Sequence, residues 1–357
     1  MRRYLFSTVA LHMIPQEGYE CVGTTMRLYR NEDICLSRFR TCCSQRDIDD
    51  AAEVAFELDM PYEVLDYTQD FKAQIIGKFI KVYETGGTPN PCIDCNRYMK
   101  FDKLLHAARE MGLNYIVTGH YARIEFDEAT GRRILKKAVD GSKDQSYVLY
   151  MLTQEQLAHT QFPLGGMTKA EVRSIAESLH FVNARKHDSQ DICFVPDGDY
   201  AGFMERYTGK RYPEGDFVTR DGTVVGRHKG AVRYTVGQRK GLHLAMGEPV
   251  YVCGKDMAAN TVCVGSEDSL YTDTLIANEL NWISVPQLDA PMRLKAKARY
   301  RQPEQWATAY PEGDDRVRLV FDEPQRAVTV GQTVVFYDGD TVVGGGTIAQ
   351  VKHNDLS

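Results

Sequence analysis

Two cysteines spaced two residues apart, Cys92 and Cys95, stand in Thr88-Pro-Asn-Pro-Cys-Ile-Asp-Cys-Asn96, and a third, Cys193, stands far downstream in Asp188-Ser-Gln-Asp-Ile-Cys-Phe194. A pair at that spacing can share a metal, form a redox couple or divide a nucleophilic reaction between its thiols. The plain alternative is a structural pair or half of a zinc site. Zinc takes four ligands, however, and no second Cys-x-x-Cys is present; the adjacent Cys42 and Cys43 are poorly spaced for one tetrahedral ion. Cys193 between Ile192 and Phe194 reads by itself as a small buried hydrophobe. The run Arg185, Lys186, His187, Asp188 and Ser189 before it is polar and basic, which no core requires. Pro89 and Pro91 predict a stiff, non-helical path into the pair, with a helix from about Phe101 to Met111. A thiol near a helix start can be shifted toward thiolate.

Two further constellations are polar where a bland reading is also open. Gly119-His120 follows an apolar run and is either a strand-end turn with a satisfied histidine or a close backbone approach to a ligand. Lys143-Asp-Gln145 is either a solvated turn or a charged contact loop. An ATP-using enzyme on an α/β sheet needs a glycine-rich first loop whose amides hold phosphate. Residues 1–17 contain no glycine.

The elements that must position these residues are legible in outline. Tyr19–Met26 and Pro61–Leu65 read as strands, Asp47–Leu58 and Phe71–Tyr83 as helices, and Tyr115–Thr118 as a strand ending at Gly119-His120. This alternation predicts a parallel sheet flanked by helices, with ligands at the carboxyl ends of the strands, where Met26, Gly119 and His120 fall. Thr153 and Thr168 open two capping boxes. Beyond about residue 205, short Val-, Tyr- and Thr-rich runs punctuated by Gly215, Asp221-Gly222, Gly254, Gly265 and Gly344-Gly-Gly346 read as β structure.

A chain of 357 residues with 43% hydrophobic and 26% charged residues has the balance of a globular protein, not of a disordered or fibrous one. A formal charge of -6 does not advertise a polyanion partner, so any such contact needs local basic patches. Candidates are Arg185-Lys-His187, Arg227-His-Lys229 with Arg233 and Arg239-Lys240, and residues 293–301. Nine cysteines diluted through the chain fit a reducing compartment better than a disulfide scaffold. No signal-peptide core and no membrane-length apolar run is found, and a cytoplasmic location is expected.

With Thr118-Gly-His-Tyr-Ala122, Lys143-Asp-Gln-Ser-Tyr147, Tyr234-Thr-Val-Gly-Gln-Arg-Lys-Gly-Leu242, Ala298-Arg-Tyr-Arg-Gln-Pro303 and Phe321-Asp-Glu-Pro-Gln325, the two cysteine motifs resemble the bacterial-type tRNA-specific 2-thiouridylases over about residues 7–348. The resemblance implies an adenine nucleotide alpha-hydrolase-like catalytic domain (1–204), a small central β domain (205–273) and a C-terminal β-barrel (274–357). It implies ATP-dependent replacement of the C2 oxygen of uridine 34, the wobble base, by sulfur in tRNAs for lysine, glutamate and glutamine. ATP with Mg2+ adenylates that oxygen. A cysteine desulfurase or sulfur-relay protein loads a persulfide on Cys193, with Cys95 as the second catalytic thiol and a disulfide between them during turnover. By the same resemblance Met26 and Gly119 touch ATP; Asn90, Pro91 and Cys92 touch the target base; and His120, Lys143, Asp144, Gln145, Arg299, Tyr300 and Gln332 touch tRNA. The base must leave its stack to be reached.

Two departures stand out. Many family members have aspartate where Cys92 stands; cysteine there serves as a thiolate in its place or, alternatively, joins Cys95 and Cys193 as ligands of a [4Fe-4S] cluster with one open iron. The family also opens with a strand and Ser-Gly-Gly-Val-Asp-Ser-Ser, of which only Ser7-Thr8 is matched. The expectation is an N-terminal truncation, from a mis-started gene or a degenerate paralogue, that removes the pyrophosphate loop and a central strand and weakens ATP-dependent thiolation while tRNA binding persists. The competing readings are a tRNA-binding protein without catalysis, a ligase of the same superfamily resembling argininosuccinate synthase, and a zinc-stabilised module.

Overall fold

A computed structural model describes residues 3–6, 20–34, 45–179, 181, 192–313 and 315–352. Ser7-Thr8, the segment leading to Gly18, Cys42-Cys43 and the basic run 185–187 lie outside the described residues. The first sheet is built from β1 (Arg3–Phe6), β2 (Glu20–Arg27), β3 (Tyr62–Asp66) and β4 (Tyr115–Val117). After β4 come a hairpin, β5 (Ala122–Asp127) and β6 (Arg132–Lys137), and the short β7 (Thr160–Gln161). The sheet order is β3-β2-β1-β4-β7, with all pairings parallel. The expected loss of a central strand is therefore corrected: Arg3–Phe6, a run rich in strand-forming aromatic and aliphatic residues, fills the centre between β2 and β4.

Helices 45–57, 68–84 and 91–110 follow the strands as the apolar periodicity requires. The third corrects the sequence reading. Pro91 does not delay the helix but occupies its first turn, where a missing N–H costs nothing, so Cys92 and Cys95 are helical. The helix is π-wound over Cys95–Lys103, and the 68–84 helix is π-wound over Lys72–Ile76. Both capping boxes form, at Thr153 and Thr168.

The central sheet comprises β8 (Gly215–Val218), β9 (Val224–His228), β10 (Tyr251–Asp256) and β11 (Thr261–Gly265), in the order β10-β11-β8-β9. Six C-terminal strands then close a barrel: β12 (Tyr271–Trp282), β13 (Met292–Lys297), β14 (Gln305–Pro311), β15 (Val317–Arg326), β16 (Thr333–Asp338) and β17 (Thr341–Lys352). Closure is made by β12 pairing with both β15 and β17. Gly344-Gly-Gly346 lie inside β17 and are not a turn. A Cβ on Gly345 would come within 2.6 Å of both the Tyr150 ring and the Val334 carbonyl, so glycine there lets the first domain press against the barrel wall. The β5–β6 hairpin, which periodicity did not announce, touches the barrel through Lys136 opposite Thr341. One apolar core joins the two parts, with Ile283, Val335 and Val342 packed among Leu104, Tyr147 and Leu152.

Candidate active site

At the carboxyl ends of β2 and β4 lies a cavity of about 600 Å³, where ligands of open parallel sheets bind. It gathers Met26 from β2, Gly119 and His120 beyond β4, Cys92 and Cys95 from the 91–110 helix, and Cys193 from the far end of the domain. Gln145 and Pro91 also line it. The three cysteines of the two separated motifs thus share one chamber.

Each thiol is held differently. Cys92 is exposed at the mouth, whereas Cys95 is buried against Met99 and Phe194. Burial pushes the Cys95 thiol up to about 11, and Lys100 alone among the neighbouring charges pulls it down. Of the pair, Cys95 gains nothing from the helix start: it sits a full turn inside the helix, beyond the unpaired amides, and desolvation dominates. Cys193 is partly exposed. Its carbonyl accepts a hydrogen bond from the Tyr29 hydroxyl at 2.8 Å, and Phe194 beside it is wedged edge-on against Phe79 and Phe71, with Phe203 behind. Ile192 and Phe194 therefore anchor the loop while the thiol between them faces the chamber. Among the described residues no disulfide is present, and no three His, Cys, Asp or Glu side chains gather closely enough to hold a metal ion. The cysteines line a cavity without forming a ready ligand set.

His120 is buried, 2.7 Å through Nδ1 from the Thr118 hydroxyl and flanked by the Phe101 and Phe162 rings. Burial, and then the charge of Lys100, hold it neutral well below the usual histidine range. The cavity's charged lining is cationic, Lys100 and Lys169, with no carboxylate among the described lining residues. Thr24 Oγ1 and Asn96 Oδ1 are buried without a hydrogen-bond partner, and both residues line the chamber. Unmet polar atoms in a cationic cavity of this size fit a nucleotide.

Asn90 lines a neighbouring cavity of about 370 Å³ between the first domain and the barrel. Gln332 donates through Nε2 to the carbonyls of Thr88 (2.9 Å) and Pro89 (3.5 Å), while Thr88 N donates to Val330 O. The barrel turn therefore braces the segment that enters the cysteine helix. Gly331 in that turn has φ +85, and a Cβ would meet Val82 at 2.8 Å. Arg299 Nη2 donates to the carbonyls of Ala327 and Val236 and to Thr329, tying the barrel to the 234–242 loop. Asp144 accepts from Ala138 N and from Ser146 N and Oγ, and Gln145 Oε1 accepts from Tyr121 N, so these side chains shape the loop that carries Lys143. Tyr300 is exposed and reaches the Asp144 carbonyl, with Lys297 over its ring. In the basic runs, Arg227, Arg233 and Arg293 pair with Asp216, Glu205 and Asp322; Lys229, Arg239 and Lys240 are exposed. Sequence reasoning missed Lys100, Asn96, Thr24 and Tyr29. Of these Asn96 and Lys100 fall within the stretch from Thr88 to Phe101 that carries the cysteine pair.

The model of the tRNA methyl transferase HUP domain matches residues 5–197, that of the tRNA methyl transferase PRC-barrel domain residues 201–266, and that of the aminomethyltransferase beta-barrel domain residues 272–348. Similar curated proteins include the tRNA-specific 2-thiouridylase MnmA of Acetivibrio thermocellus, 49% identical over 96% of this chain and 96% of that protein. Those of Geotalea uraniireducens (48%, covering 96% and 92%) and Clostridioides difficile (46%, covering 96% and 94%) are alike in extent. With a three-part architecture, a shared cysteine chamber and near-complete coverage, the chain belongs to the tRNA-specific 2-thiouridylase family.

Proposed function

We propose that this protein is a tRNA-uridine 2-sulfurtransferase that replaces the C2 oxygen of the wobble uridine, U34, with sulfur. The observation that carries the reading is the convergence of Cys95 and Cys193 on one cationic cavity at the strand ends. ATP with Mg2+ supplies activation of the C2 oxygen as a leaving group. Thr24, Met26, Asn96 and Gly119 are the residues proposed to hold the nucleotide.

Everything else falls to side chains of the chain itself. Cys92 and Pro91 at the mouth receive the flipped base, with Asn90 behind them and neutral His120 facing it from the wall. Lys143 and Tyr300 form the adjoining tRNA surface, while Asp144, Gln145, Arg299 and Gln332 set its shape. Cys193, partly exposed, accepts a persulfide sulfur from a cysteine desulfurase or relay protein. Its terminal sulfur bonds to C2 as the activated oxygen departs. Cys95, once deprotonated, attacks Cys193 Sγ; the sulfur–sulfur bond to the base breaks, 2-thiouridine leaves, and a Cys95–Cys193 disulfide remains. Two small thiols then reduce it in successive exchanges, leaving as one small disulfide and restoring both S–H groups. The tRNAs for lysine, glutamate and glutamine are the proposed substrates, and the cytoplasm the proposed location. Among the described residues no helix is long and apolar enough to cross a membrane. No step is assigned to a [4Fe-4S] cluster, because Cys92, Cys95 and Cys193 are not gathered as ligands.

A second reading has one observation in its favour: between Phe6 and Gly18, directly after β1, the sequence has no glycine to hold phosphate. It keeps tRNA binding and loses the ATP-dependent step. Purified protein with ATP, Mg2+, unmodified tRNA and a desulfurase-fed sulfur source separates the two. 2-Thiouridine in the digested tRNA, lost in Cys193→Ser and Cys95→Ser, supports the enzyme. Retained tRNA binding with no 2-thiouridine supports the impaired form.

A further inference from the structure

Two cysteines outside the chamber sit in direct contact. Cys253 on β10 and Cys263 on β11 have Sγ atoms 3.1 Å apart, inside van der Waals contact for two unbonded sulfurs. The register explains the approach. The strands are antiparallel, with Val252 opposite Val264 but Gly254 opposite Cys263, so Cys253 is the extra residue of a β-bulge. The bulge sets two residues against Cys263. One of them, Gly254, has no side chain, which leaves the space to the Cys253 thiol. Facing residues of adjacent antiparallel strands have Cα atoms about 4.5–5.5 Å apart, within the span that a disulfide bridges.

We propose that Cys253 and Cys263 are a redox-active dithiol, separate from the sulfur-transfer cysteines, that closes reversibly into a cross-strand disulfide by exchange with low-molecular-weight disulfides. The two thiols are unequal in the way exchange requires. Cys263 is partly exposed and Cys253 is buried. The hydrogen bond from Cys253, and then the nearby Arg220 guanidinium, favour the thiolate at Cys263 against its partial burial. Cys263 thiolate attacks one sulfur of the small disulfide. That bond breaks, a small thiolate leaves and takes up a proton, and a mixed disulfide remains on Cys263. Cys253 then gives its proton to solvent and attacks Cys263 Sγ, expelling the second small thiol. Two protein S–H groups are oxidised to one S–S bond, and one small disulfide is reduced to two thiols.

The pair is placed where closure would be felt. Cys253 packs with Tyr251, Leu270 and Ala327 at the seam between central sheet and barrel. Its neighbour Val252 exchanges backbone hydrogen bonds with Gly237 and Gln238, in the loop that Arg299 ties to the barrel.

Trypsin cuts after Lys255, between the two cysteines, so closure joins two otherwise separate peptides. The native, reduced protein is equilibrated with glutathione buffers of rising oxidised fraction, alkylated and digested. The expected result is a linked 253–263 peptide pair, lighter by two hydrogens, that rises with the oxidised fraction and is lost on adding glutathione. Alkylation follows acid quenching and unfolding, so Cys21, buried in the first sheet, is alkylated at every point of the series and is the internal control. Cys253→Ser is expected to accumulate the glutathione adduct on Cys263. The proposal is overturned if both thiols alkylate throughout the series, or if the native chain stops at the Cys263 adduct as the serine variant does.

Discussion

Removing Lys78 isolates a carboxylate inside the cysteine motif. Lys78, on the 68–84 helix, donates to Asp94 at 2.7 Å, and Asp94 lies between Cys92 and Cys95 with its side chain 12% exposed. Burial already lifts the Asp94 carboxyl above its ordinary value; Lys78 and then Arg97 oppose the lift, and Glu279 adds to it. Breaking a buried pair from one side costs about 3–5 kcal/mol. Here Lys78 is a third exposed and Arg97 remains, so the cost of Lys78→Met is about 2 kcal/mol at pH 7.5. The sign in pH follows from the raised carboxyl. The penalty belongs to the ionised form, so it is full at neutral pH and shrinks as the pH falls and Asp94 takes up a proton. The double change Lys78→Met with Asp94→Leu removes both charges and should return to within about 1 kcal/mol of the parent. Hydrogen exchange of peptides over residues 91–104 reads this locally: about 30-fold faster in the single variant and near the parent rate in the double. Unchanged exchange in Lys78→Met, or equal damage in the double variant, would refute the reasoning.

Three further outcomes follow from the same geometry. Lys255 Nζ is buried with no hydrogen-bond partner, and burial lowers its pKa from 10.5 to about 8. Lys255→Met should therefore stabilise the fold by about 3 kcal/mol below pH 8, the gain fading as the pH rises toward 10.5; melting both proteins across that range checks it. Lys100→Met withdraws the one charge that pulls Cys95 down, so thiolation at pH 7.5 should slow about threefold to tenfold and the rising limb of the rate profile should move to higher pH, with Lys100→Arg near the parent. Gln332→Ala loses the bonds to Thr88 and Pro89, which should raise exchange over residues 85–91 and lower kcat with tRNA affinity held; weaker tRNA binding alone would make Gln332 a contact instead of a brace.

The catalytic sheet is legible in the chain wherever one periodicity dominates. The alternation from Glu20 to Val117 can be read because buried strand faces and helix stripes repeat at their own periods, and Thr153 and Thr168 announce helices through side chains three residues apart. The cysteine chamber is legible through its motifs. Pro91 is misleading, since proline breaks a helix interior yet suits a first turn, and only the chain before it decides which applies. The β5–β6 hairpin and the glycines of β17 answer to the barrel they touch, a contact more than 200 residues away in sequence for Lys136 and Thr341. The Tyr29 bond to Cys193 and the Gln332 brace are equally invisible, because single polar residues carry no period and their partners are backbone carbonyls.

The proposed division of one sulfur transfer between Cys95 and Cys193 carries the whole reaction. It is tested most directly in a single turnover, with protein carrying a Cys193 persulfide mixed with ATP, Mg2+ and unmodified tRNA in the absence of any reductant. Thiols are then alkylated, and both protein and tRNA are weighed. One Cys95–Cys193 disulfide is expected for each 2-thiouridine formed. 2-Thiouridine formed while Cys95 and Cys193 both remain open to alkylation would contradict it.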